Sequence, residues 1–304
     1  MGTPDFAVPS LKALIDSGEN VVGVICQPDR PKGRGHKLMA CPVKETAVAA
    51  GIPVYQPEKI KAPEGVEKLK EFAPDLCVTA AFGQLLSAEN LAVPRLGTIN
   101  VHASLLPKHR GSAPINWSIL MGDTVTGVTT MMTDIGMDTG DILLKKEIPI
   151  EKTDTAGTLT DRLAELGAQL LLETLAALKA GTLTRIKQDS ELASTEPKLS
   201  REQGRIDFTM SSDAIDRHVR GLSPWPGTFA SLGGETMKVG KVAAAQMEGR
   251  PGEILVADPM KGLIVGCGQG AVELVEIQMP GSRMMNARDY LRGHSITVGT
   301  IFGE

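Results

Sequence analysis

Short runs of β-branched and apolar residues alternate with helical patterns through residues 6–150. This alternation is typical of an α/β domain in which helices cover a mostly parallel sheet. The predicted strands lie at residues 21–26, 53–55, 76–80 and 98–102. Domains of this kind bind ligands beyond the carboxyl ends of their strands, so chemistry is expected there.

Two stretches carry apolar residues at helical spacing. One face of the first predicted helix carries Val8, Leu11, Leu14 and Ile15. This helix ends near Gly18, since a residue without a Cβ suits the left-handed conformation of a helix end. A second helix spans residues 158–179, where a stripe of leucines faces the sheet and Gly181 follows the end.

Residues 1–4 (MGTP) already have the composition of a turn, and no strand precedes the first helix. An open doubly wound sheet normally has its first strand near the middle. We therefore expect the first strand to be missing from this chain, which puts the integrity of the sheet in question.

The periodicity changes after residue 183. Polar residues and Pro197 replace the helical pattern, and we interpret residues 184–204 as a linker between a domain at 1–183 and a domain at 205–304. The second domain begins with a helical piece at 214–219. Short strands such as 237–239 and 263–265 follow, separated by glycine turns, and they predict a small antiparallel barrel.

Length and composition are those of an ordinary globular protein. At about 150 residues per domain, a chain of 304 residues is expected to form two domains. Hydrophobic residues at 42% and charged residues at 22% exclude a disordered, collagenous or coiled-coil chain. The 32 basic and 36 acidic residues give a net charge of −4, so any contact with nucleic acid must be a local patch.

The cysteines are Cys26, Cys41, Cys77 and Cys267. They form no C-x-x-C pair and lie near no histidine pair, which excludes zinc and thioredoxin-like redox sites. We therefore expect the cysteines to be buried thiols in a reducing cytoplasm.

No apolar run is long enough to span a membrane, so the sequence predicts a soluble cytoplasmic protein. We expect the protein to be a monomer.

The first candidate for chemistry is the pair Asn100 and His102. Residues two apart on a strand point to the same face, and both lie at the carboxyl end of a predicted parallel strand. An alternative stays open, in which Asn100 caps a turn and His102 is a core histidine with its hydrogen bonds satisfied.

The second candidate is the loop 134–141 (DIGMDTGD), with three carboxylates and two glycines. Its spacing lacks the glycine and the final acidic residue of a calcium-binding loop. Aspartate and glycine are also ordinary turn residues. If the loop folds against the strand of His102, one carboxylate faces the imidazole and favours its protonated form.

The third candidate is the loop 27–42, which carries Arg30, Lys32, Arg34 and Lys37. Only Asp29 offsets these charges, and glycines at 33 and 35 interrupt the loop. It is either a solvated basic loop or a finger that meets phosphates.

Two other features have simpler interpretations: residues 266–270 predict a hairpin turn, and Trp225 in a proline-rich corner is expected to be buried.

Together these motifs resemble the methionyl-tRNA formyltransferase family. The matching segments are residues 1–7 (MGTPDFA), 27–31 (QPDRP), 33–35 (GRG), 100–102 (NVH), 104–107 (SLLP), 134–141 (DIGMDTGD) and 224–226 (PWP). They follow the family's order over essentially the whole chain. The fold that this implies is an N-terminal Rossmann-like formyltransferase domain and a C-terminal OB-like barrel that binds tRNA.

The resemblance also implies an activity, the transfer of formyl from 10-formyltetrahydrofolate to the α-amino group of methionine on initiator tRNA, without a metal. Asn100, His102 and Asp138 match the catalytic trio of the family. Ser104, Leu105, Leu106 and Pro107 match its folate-binding stretch. Arg34 matches the arginine that meets the acceptor end of tRNA, with Arg30, Lys32 and Lys37 as basic neighbours.

Amine attack on a formyl carbon creates a tetrahedral centre whose oxygen gains negative charge. We expect the Asn100 amide and a protonated His102 to stabilise that oxygen and Asp138 to help move the proton.

One alternative function is that of a folate-dependent formyltransferase that acts on an amino sugar or a purine precursor. Another is a noncatalytic RNA-binding protein, while a nicotinamide-dependent dehydrogenase lacks its glycine fingerprint.

Overall fold

The computed structural model describes residues 1–32 and 37–303, which divide into two compact units. The first unit contains Met1–Pro114, Val125–Pro149 and Thr160–Pro197. The second contains Ile115–Thr124, Ile150–Leu159 and the described chain from Lys198 onward. The domain limits given above, at 183 and 205, stay a prediction. No helix of the described chain is long and apolar enough to cross a membrane.

The elements follow one another in an α/β order and then in a mainly β order. The helices are α1 (Val8–Asp16), α2 (Pro42–Ala49), α3 (Pro63–Phe72), α4 (Ala88–Ala92), α5 (Pro114–Leu120), α6 (Ala156–Lys179), α7 (Ser212–Gly221) and α8 (Ala287–Leu291). The strands are β1 (Val24–Ile25), β2 (Arg30–Lys32), β3 (Lys37–Met39), β4 (Val54–Tyr55), β5 (Cys77–Thr79), β6 (Thr98–His102), β7 (Val125–Met132), β8 (Ile142–Pro149), β9 (Thr228–Leu232), β10 (Glu235–Ala245), β11 (Ile254–Asp258), β12 (Gly262–Gly266), β13 (Ala271–Gln278) and β14 (Met285–Asn286).

Parallel strands form the first part of the sheet in the first unit, as predicted. Strand β1 pairs in parallel with β4, and β5 pairs in parallel with β6. Beyond β6 the pairing is antiparallel, in the order β5-β6-β7-β8. Strand β7 runs antiparallel to both β6 and β8, and the loop 133–141 joins β7 to β8. The sheet is therefore mixed, with β6 at the change of direction.

Met1 and Gly2 lie between β1 and β5, at the place where the first strand is expected to be missing. The Gly2 amide donates to the carbonyl of Ile25 at 3.0 Å, and the Met1 carbonyl accepts from Ala80 at 3.0 Å. The Met1 ammonium donates to the carbonyl of Val78 at 2.6 Å. Burial lowers the pKa of this ammonium.

A cavity of about 580 Å³ adjoins these two residues. Its lining includes apolar side chains of α1, β1, β5 and α6. Strands β1 and β5 are shorter than the sequence predicts, at 2 and 3 residues. Residues 21–23 and 76, predicted as strand, are outside the ladders.

Helix α6 holds the strand of the candidate site from one face. The sequence-predicted stripe is largely buried, with Leu163 and Leu170 at 2% exposure or less. A Cβ at Gly167 would lie 2.8 Å from Val101 Cγ1, so the glycine permits close packing of α6 on β6. The short distance between helix and strand fixes the position of β6.

The second unit is built on an antiparallel sheet in the order β11-β12-β13-β10-β9, with β14 added to β13. Helix α7 packs against β10, and the core includes the fully buried Ile215, Met237 and Leu274. The end strands β9 and β11 do not pair with each other in the described chain, so the expected closed OB-like barrel is not confirmed. Strands β12 and β13 pair as an antiparallel hairpin around residues 267–270, as predicted.

Two further expectations concern single residues. Cys26, Cys77 and Cys267 are buried free thiols and Cys41 is half-buried, as the composition indicates. The prediction that Trp225 is buried is wrong, because the side chain is 53% exposed. Leu222, which is 1% exposed, fills the core at this corner and leaves Trp225 at the surface.

Candidate functional site

Strand β6 delivers Asn100 and His102 to one face of the sheet, two residues apart at its carboxyl end. The His102 side chain is 7% exposed. Asn100 is paired in register with Thr79 of β5, so the ends of two parallel strands meet here. This is the edge at which ligands of such sheets bind.

Asp138 meets both side chains. Its Oδ1 accepts a hydrogen bond from Asn100 Nδ2 at 3.4 Å and lies 3.6 Å from His102 Nδ1. The Asp138 side chain is 17% exposed, so the carboxylate reaches solvent on one side of an otherwise buried group. The structure thus brings together the three residues that the resemblance singles out.

The connection between β7 and β8 explains which of the three loop carboxylates faces the histidine. Asp134 is used inside the loop, where its Oδ1 accepts from the Gly136 amide at 3.0 Å and from Thr139 Oγ1 at 2.7 Å. Asp138 adopts a left-handed backbone with φ +54. This conformation is uncommon for a residue with a side chain, and it occurs at the residue that contacts β6.

Hydrogen bonding assigns the protons of His102. Its Nε2 lies 3.1 Å from the backbone carbonyl oxygen of His109. A carbonyl oxygen only accepts, so Nε2 carries a hydrogen and donates it. This bond turns Nδ1 toward Asp138, where a second N–H would face a carboxylate. The ring is thus held between the His109 carbonyl and the Asp138 carboxylate.

The segment 107–111 holds both members of the pair. The His109 carbonyl fixes His102, and the Gly111 amide donates to Asp138 Oδ2 at 2.9 Å. His109 and Gly111 both have positive φ, at 56 and 113. Positive φ is ordinary for glycine but strained for His109, whose conformation persists only where the surrounding structure holds it.

Sequence reasoning missed Thr79 as part of the site. Its hydroxyl donates to Asn100 Oδ1 at 2.9 Å, which leaves the Asn100 NH₂ group to face Asp138. The sequence does place Thr79 and Asn100 on strands, since 76–80 and 98–102 are both predicted strands. Their parallel pairing and register, which place Thr79 beside Asn100, were not predictable from either run alone.

Sequence reasoning also missed the part that residues 188–196 play. The sequence pattern indicates only a linker here, yet Gln188 and Glu196 contact the loops around the site. Gln188 hydrogen-bonds to Arg110 and to the carbonyls of Asp138 and Gly140. Glu196 Oε1 lies 3.5 Å from His109 Nδ1.

The stretch matched to folate binding follows β6 directly. Ser104 and Leu106 have no measurable exposure, and Ser104 Oγ donates to the carbonyl of Lys108 at 2.7 Å. Thr129 Oγ1 donates to the Ser104 carbonyl and accepts from the Leu106 amide. The side chains of Leu105 and Pro107 are the half-buried ones, so they are the parts of this stretch within reach of a ligand.

The basic loop forms a small hairpin in which β2 pairs with β3. Arg34 lies outside the described residues. Arg30 is exposed and contacts Glu58 Oε2 at 3.1 Å, while Lys32 and Lys37 are opposite each other in the β2–β3 register.

Asp29, the acidic residue of the basic loop, is hydrogen-bonded near the start of that loop. It accepts hydrogen bonds from Gln56 Nε2 at 2.8 Å and Lys44 Nζ at 2.6 Å. These bonds, first that from Gln56 and then that from Lys44, lower the pKa of the Asp29 carboxyl. The charge of Asp29 is therefore matched by Lys44 of α2, the helix that follows the loop.

In residues 1–32 and 37–303 no three His, Cys, Asp or Glu side chains are grouped in a way that could hold a metal ion.

Comparison with known proteins gives matches over both parts of the chain. Residues 1–175 match the formyl transferase family, and residues 198–295 match the formyl transferase C-terminal domain. The chain is 49% identical to a methionyl-tRNA formyltransferase of Geobacter metallireducens, covering 100% of this chain and 97% of the relative. It is 50% identical to a methionyl-tRNA formyltransferase of Ruminiclostridium cellulolyticum, covering 100% and 98%.

A solved structure has a similar fold. The N-formyltransferase of Helicobacter canadensis, in complex with folinic acid and dTDP-3-aminofucose, is similar with a TM-score of 0.65 at 20% identity. The alignment covers 93% of this chain and 97% of that protein. At this identity the likeness concerns the fold.

Proposed function

This chain belongs to the methionyl-tRNA formyltransferases of the formyl transferase family, and from that premise we propose how it works. It transfers the formyl group of 10-formyltetrahydrofolate to the α-amino group of methionine on initiator tRNA. The observation that supports the site is the meeting of Asn100, His102 and Asp138 at the carboxyl end of β6. These three residues are assigned the catalytic roles.

The first role is to stabilise negative charge. When the methionine amine attacks the formyl carbon, the formyl oxygen becomes an oxyanion, and N–H donors directed at it lower the barrier. Asn100 Nδ2 and His102 Nδ1 are the donors, since Thr79 and the His109 carbonyl occupy the other polar atoms of these side chains. A charged imidazole is the stronger of the two donors.

The second role is to move a proton. A bond forms between the amine nitrogen and the formyl carbon, and the bond from that carbon to N10 of the folate breaks. The proton lost by the amine is taken up by N10. Asp138, held at Oδ2 by the Gly111 amide and beside His102 at Oδ1, carries this proton directly or through a water.

The folate co-substrate is assigned to the stretch 104–107. Ser104 and Leu106 anchor the stretch in the core, so the half-buried Leu105 and Pro107 and the backbone are the groups that would contact the folate. The proposed reaction uses no metal, since the two side-chain donors supply the charge stabilisation.

The tRNA is assigned to two regions. Arg34, with Arg30, Lys32 and Lys37, is proposed to contact phosphates and unpaired bases at the acceptor end. The C-terminal antiparallel sheet, as an OB-like module, is proposed to follow the tRNA backbone, by analogy of fold alone. We place the reaction in the cytoplasm and assign it to a monomer with catalytic, linker and tRNA-binding parts at 1–183, 184–204 and 205–304.

One assay tests the proposal. Purified protein is incubated with radiolabelled 10-formyltetrahydrofolate and either charged initiator tRNA or a dTDP-amino sugar. We expect formylmethionyl-tRNA, a rate that falls as salt rises, and no transfer to the sugar. Transfer to the sugar alone would establish the rival small-amine function, and binding of tRNA without any transfer would establish the noncatalytic one.

A further inference from the structure

The side chain of Gln188 hydrogen-bonds to two loops of the site. Its Oε1 accepts hydrogen bonds from Arg110 Nε at 3.1 Å and Nη2 at 2.8 Å. Its Nε2 donates to the carbonyls of Asp138 and Gly140, both at 2.8 Å. All four polar positions of this one amide are therefore used within the first unit, and none is directed at the reacting groups.

The two donated bonds act on the loop of Asp138. They bind the carbonyls on either side of Thr139, next to a residue held at φ +54. A left-handed backbone at a non-glycine residue costs energy and must be held from outside. At Gly140 a Cβ would clash with the carbonyl of Met132, so this turn also has no room to shift toward β7.

The two accepted bonds act on the opposite loop. Arg110 is 9% exposed, and Gln188 is a partner of its buried guanidinium. The residues on either side of Arg110 provide the carbonyl that holds His102 and the amide that holds Asp138. Gln188 thus fixes the carboxylate from two directions, through its own backbone turn and through the loop that binds Oδ2.

The backbone of residues 188–196 is anchored without this side chain. The Arg110 amide donates to the carbonyl of Ser194 at 2.9 Å, and the His109 amide donates to Ser194 Oγ at 2.9 Å. The Glu196 amide donates in turn to the carbonyl of Arg110 at 3.4 Å. Substitution of Gln188 should therefore leave the segment in place, so that its effect on Asp138 can be measured separately.

We infer that Gln188 is a positioning residue for formyl transfer, which acts by holding Asp138 against Asn100 and His102. The inference rests on the proposed function, because it assigns Asp138 the proton transfer. Gln188 acts through Asp138 and does not itself touch the substrate. A displacement of the reacting groups by about 1 Å can lower the rate a hundredfold. Holding the turn of Asp138 in place therefore affects the rate of formyl transfer.

The test uses the full chain and two variants of the same length. Gln188→Glu keeps oxygen acceptors for Arg110 but loses the NH₂ donors and sets an oxygen against two carbonyls. Gln188→Met loses all four bonds. At saturating substrates we expect kcat to fall about ten- to a hundredfold in both variants. The KM for tRNA should stay within about twofold of wild type, because only the transition-state geometry changes.

Gln203→Glu is the control for the added charge. Gln203 Oε1 accepts a hydrogen bond from the Ser200 amide at 2.7 Å, outside the segments assigned to catalysis or tRNA, and a carboxylate oxygen keeps this bond. This variant should keep the wild-type kcat. Amide hydrogen exchange measures whether the loop of Asp138 is held in place. Gln188→Glu should accelerate exchange in residues 134–141 and at the Gly111 amide, and the control should not.

The outcomes separate the two proposals. Wild-type kcat and unchanged exchange in Gln188→Glu would overturn the positioning role. So would a fall in the unfolding temperature with matching losses in kcat and tRNA affinity, which would reduce Gln188 to a stabilising contact. If wild-type protein forms no formylmethionyl-tRNA, the proposed function fails, while exchange in 134–141 still decides whether Gln188 holds Asp138.

Discussion

The hydroxyl of Thr79 donates a hydrogen bond to Oδ1 of Asn100 at 2.9 Å, across the parallel pairing of β5 and β6. This bond sets the orientation of the Asn100 amide. With Oδ1 engaged, the NH₂ group faces Asp138, and we propose that its second N–H donates to the formyl oxygen. The neighbouring strand therefore determines which half of the amide is available for chemistry.

Thr79→Val should lower kcat about tenfold, because the amide is then free to turn its oxygen toward the developing oxyanion. Thr79→Ser keeps the hydroxyl and should restore most of the rate. Steady-state kinetics with saturating tRNA and folate measure both.

Thr228→Val is the control for Thr79. Thr228 Oγ1 is also buried and donates to the carbonyl of Val239 at 2.7 Å, in the second unit. Both valine variants should lose about 1–3 kcal/mol of stability from an unpaired buried acceptor, but only Thr79→Val should lose rate. Equal kcat for Thr79→Val and wild type would remove Thr79 from the site.

His102→Ala and Asp138→Asn should each reduce kcat by about a hundred- to a thousandfold while the Kd for initiator tRNA stays near that of wild type. His102 is assigned an N–H donor and Asp138 the proton carrier, and neither is assigned a role in binding tRNA. Single-turnover rates and filter binding provide the two measurements.

Asp134→Asn serves as the control for charge, since Asp134 belongs to the same loop but is bound within it by Gly136 and Thr139. It should keep most of the activity. If Asp134→Asn is as inactive as Asp138→Asn, the loss reflects the loop and not the carboxylate beside His102.

Arg34→Ala should weaken the binding of initiator tRNA and reduce the slope of log K against log salt by about one, as expected for one lost phosphate contact. Binding is measured at several salt concentrations. Lys70→Ala removes the same charge from α3, where Lys70 Nζ pairs with Glu67 Oε1 at 2.7 Å, and should leave the slope unchanged. An unchanged slope for Arg34→Ala would contradict the tRNA assignment of the basic loop.

The buried thiols should resist alkylation at neutral pH. Burial, with a smaller contribution from a hydrogen bond with Cys41, raises the pKa of Cys26 to about 12, and burial raises that of Cys267 to about 11. Iodoacetamide reacts with thiolates, and these groups stay protonated as pH rises from 7 to 9.

Mass spectrometry after iodoacetamide treatment at pH 8 should therefore find Cys41 as the modified cysteine of the folded protein. Denatured protein should be modified at Cys26, Cys41, Cys77 and Cys267. Labelling of Cys26 or Cys267 in the folded state at the rate of Cys41 would show that these thiols are less protected than the structure indicates.

Local patterns were sufficient for much of the fold. The run at 98–102 predicted β6 to the residue, and its alternation placed Asn100 and His102 on one face. The leucine spacing at 158–179 predicted most of α6, and glycines marked the turn between β12 and β13. The expected burial of Trp225 failed because four prolines and glycines near a tryptophan do not specify which side chain of the corner enters the core.

By itself, the sequence determined where strands and helices form, since hydrophobic period and turn residues act within about ten positions of the chain. It also determined the family, through motifs carried in order along the chain. Only the tertiary structure decided that Thr79 orients Asn100 and that Gln188 holds Asp138, contacts that span 21 and 50 residues. Contacts at such separation depend on the register of neighbouring strands and the path of connecting loops, which the packing of the whole domain fixes and no local pattern records.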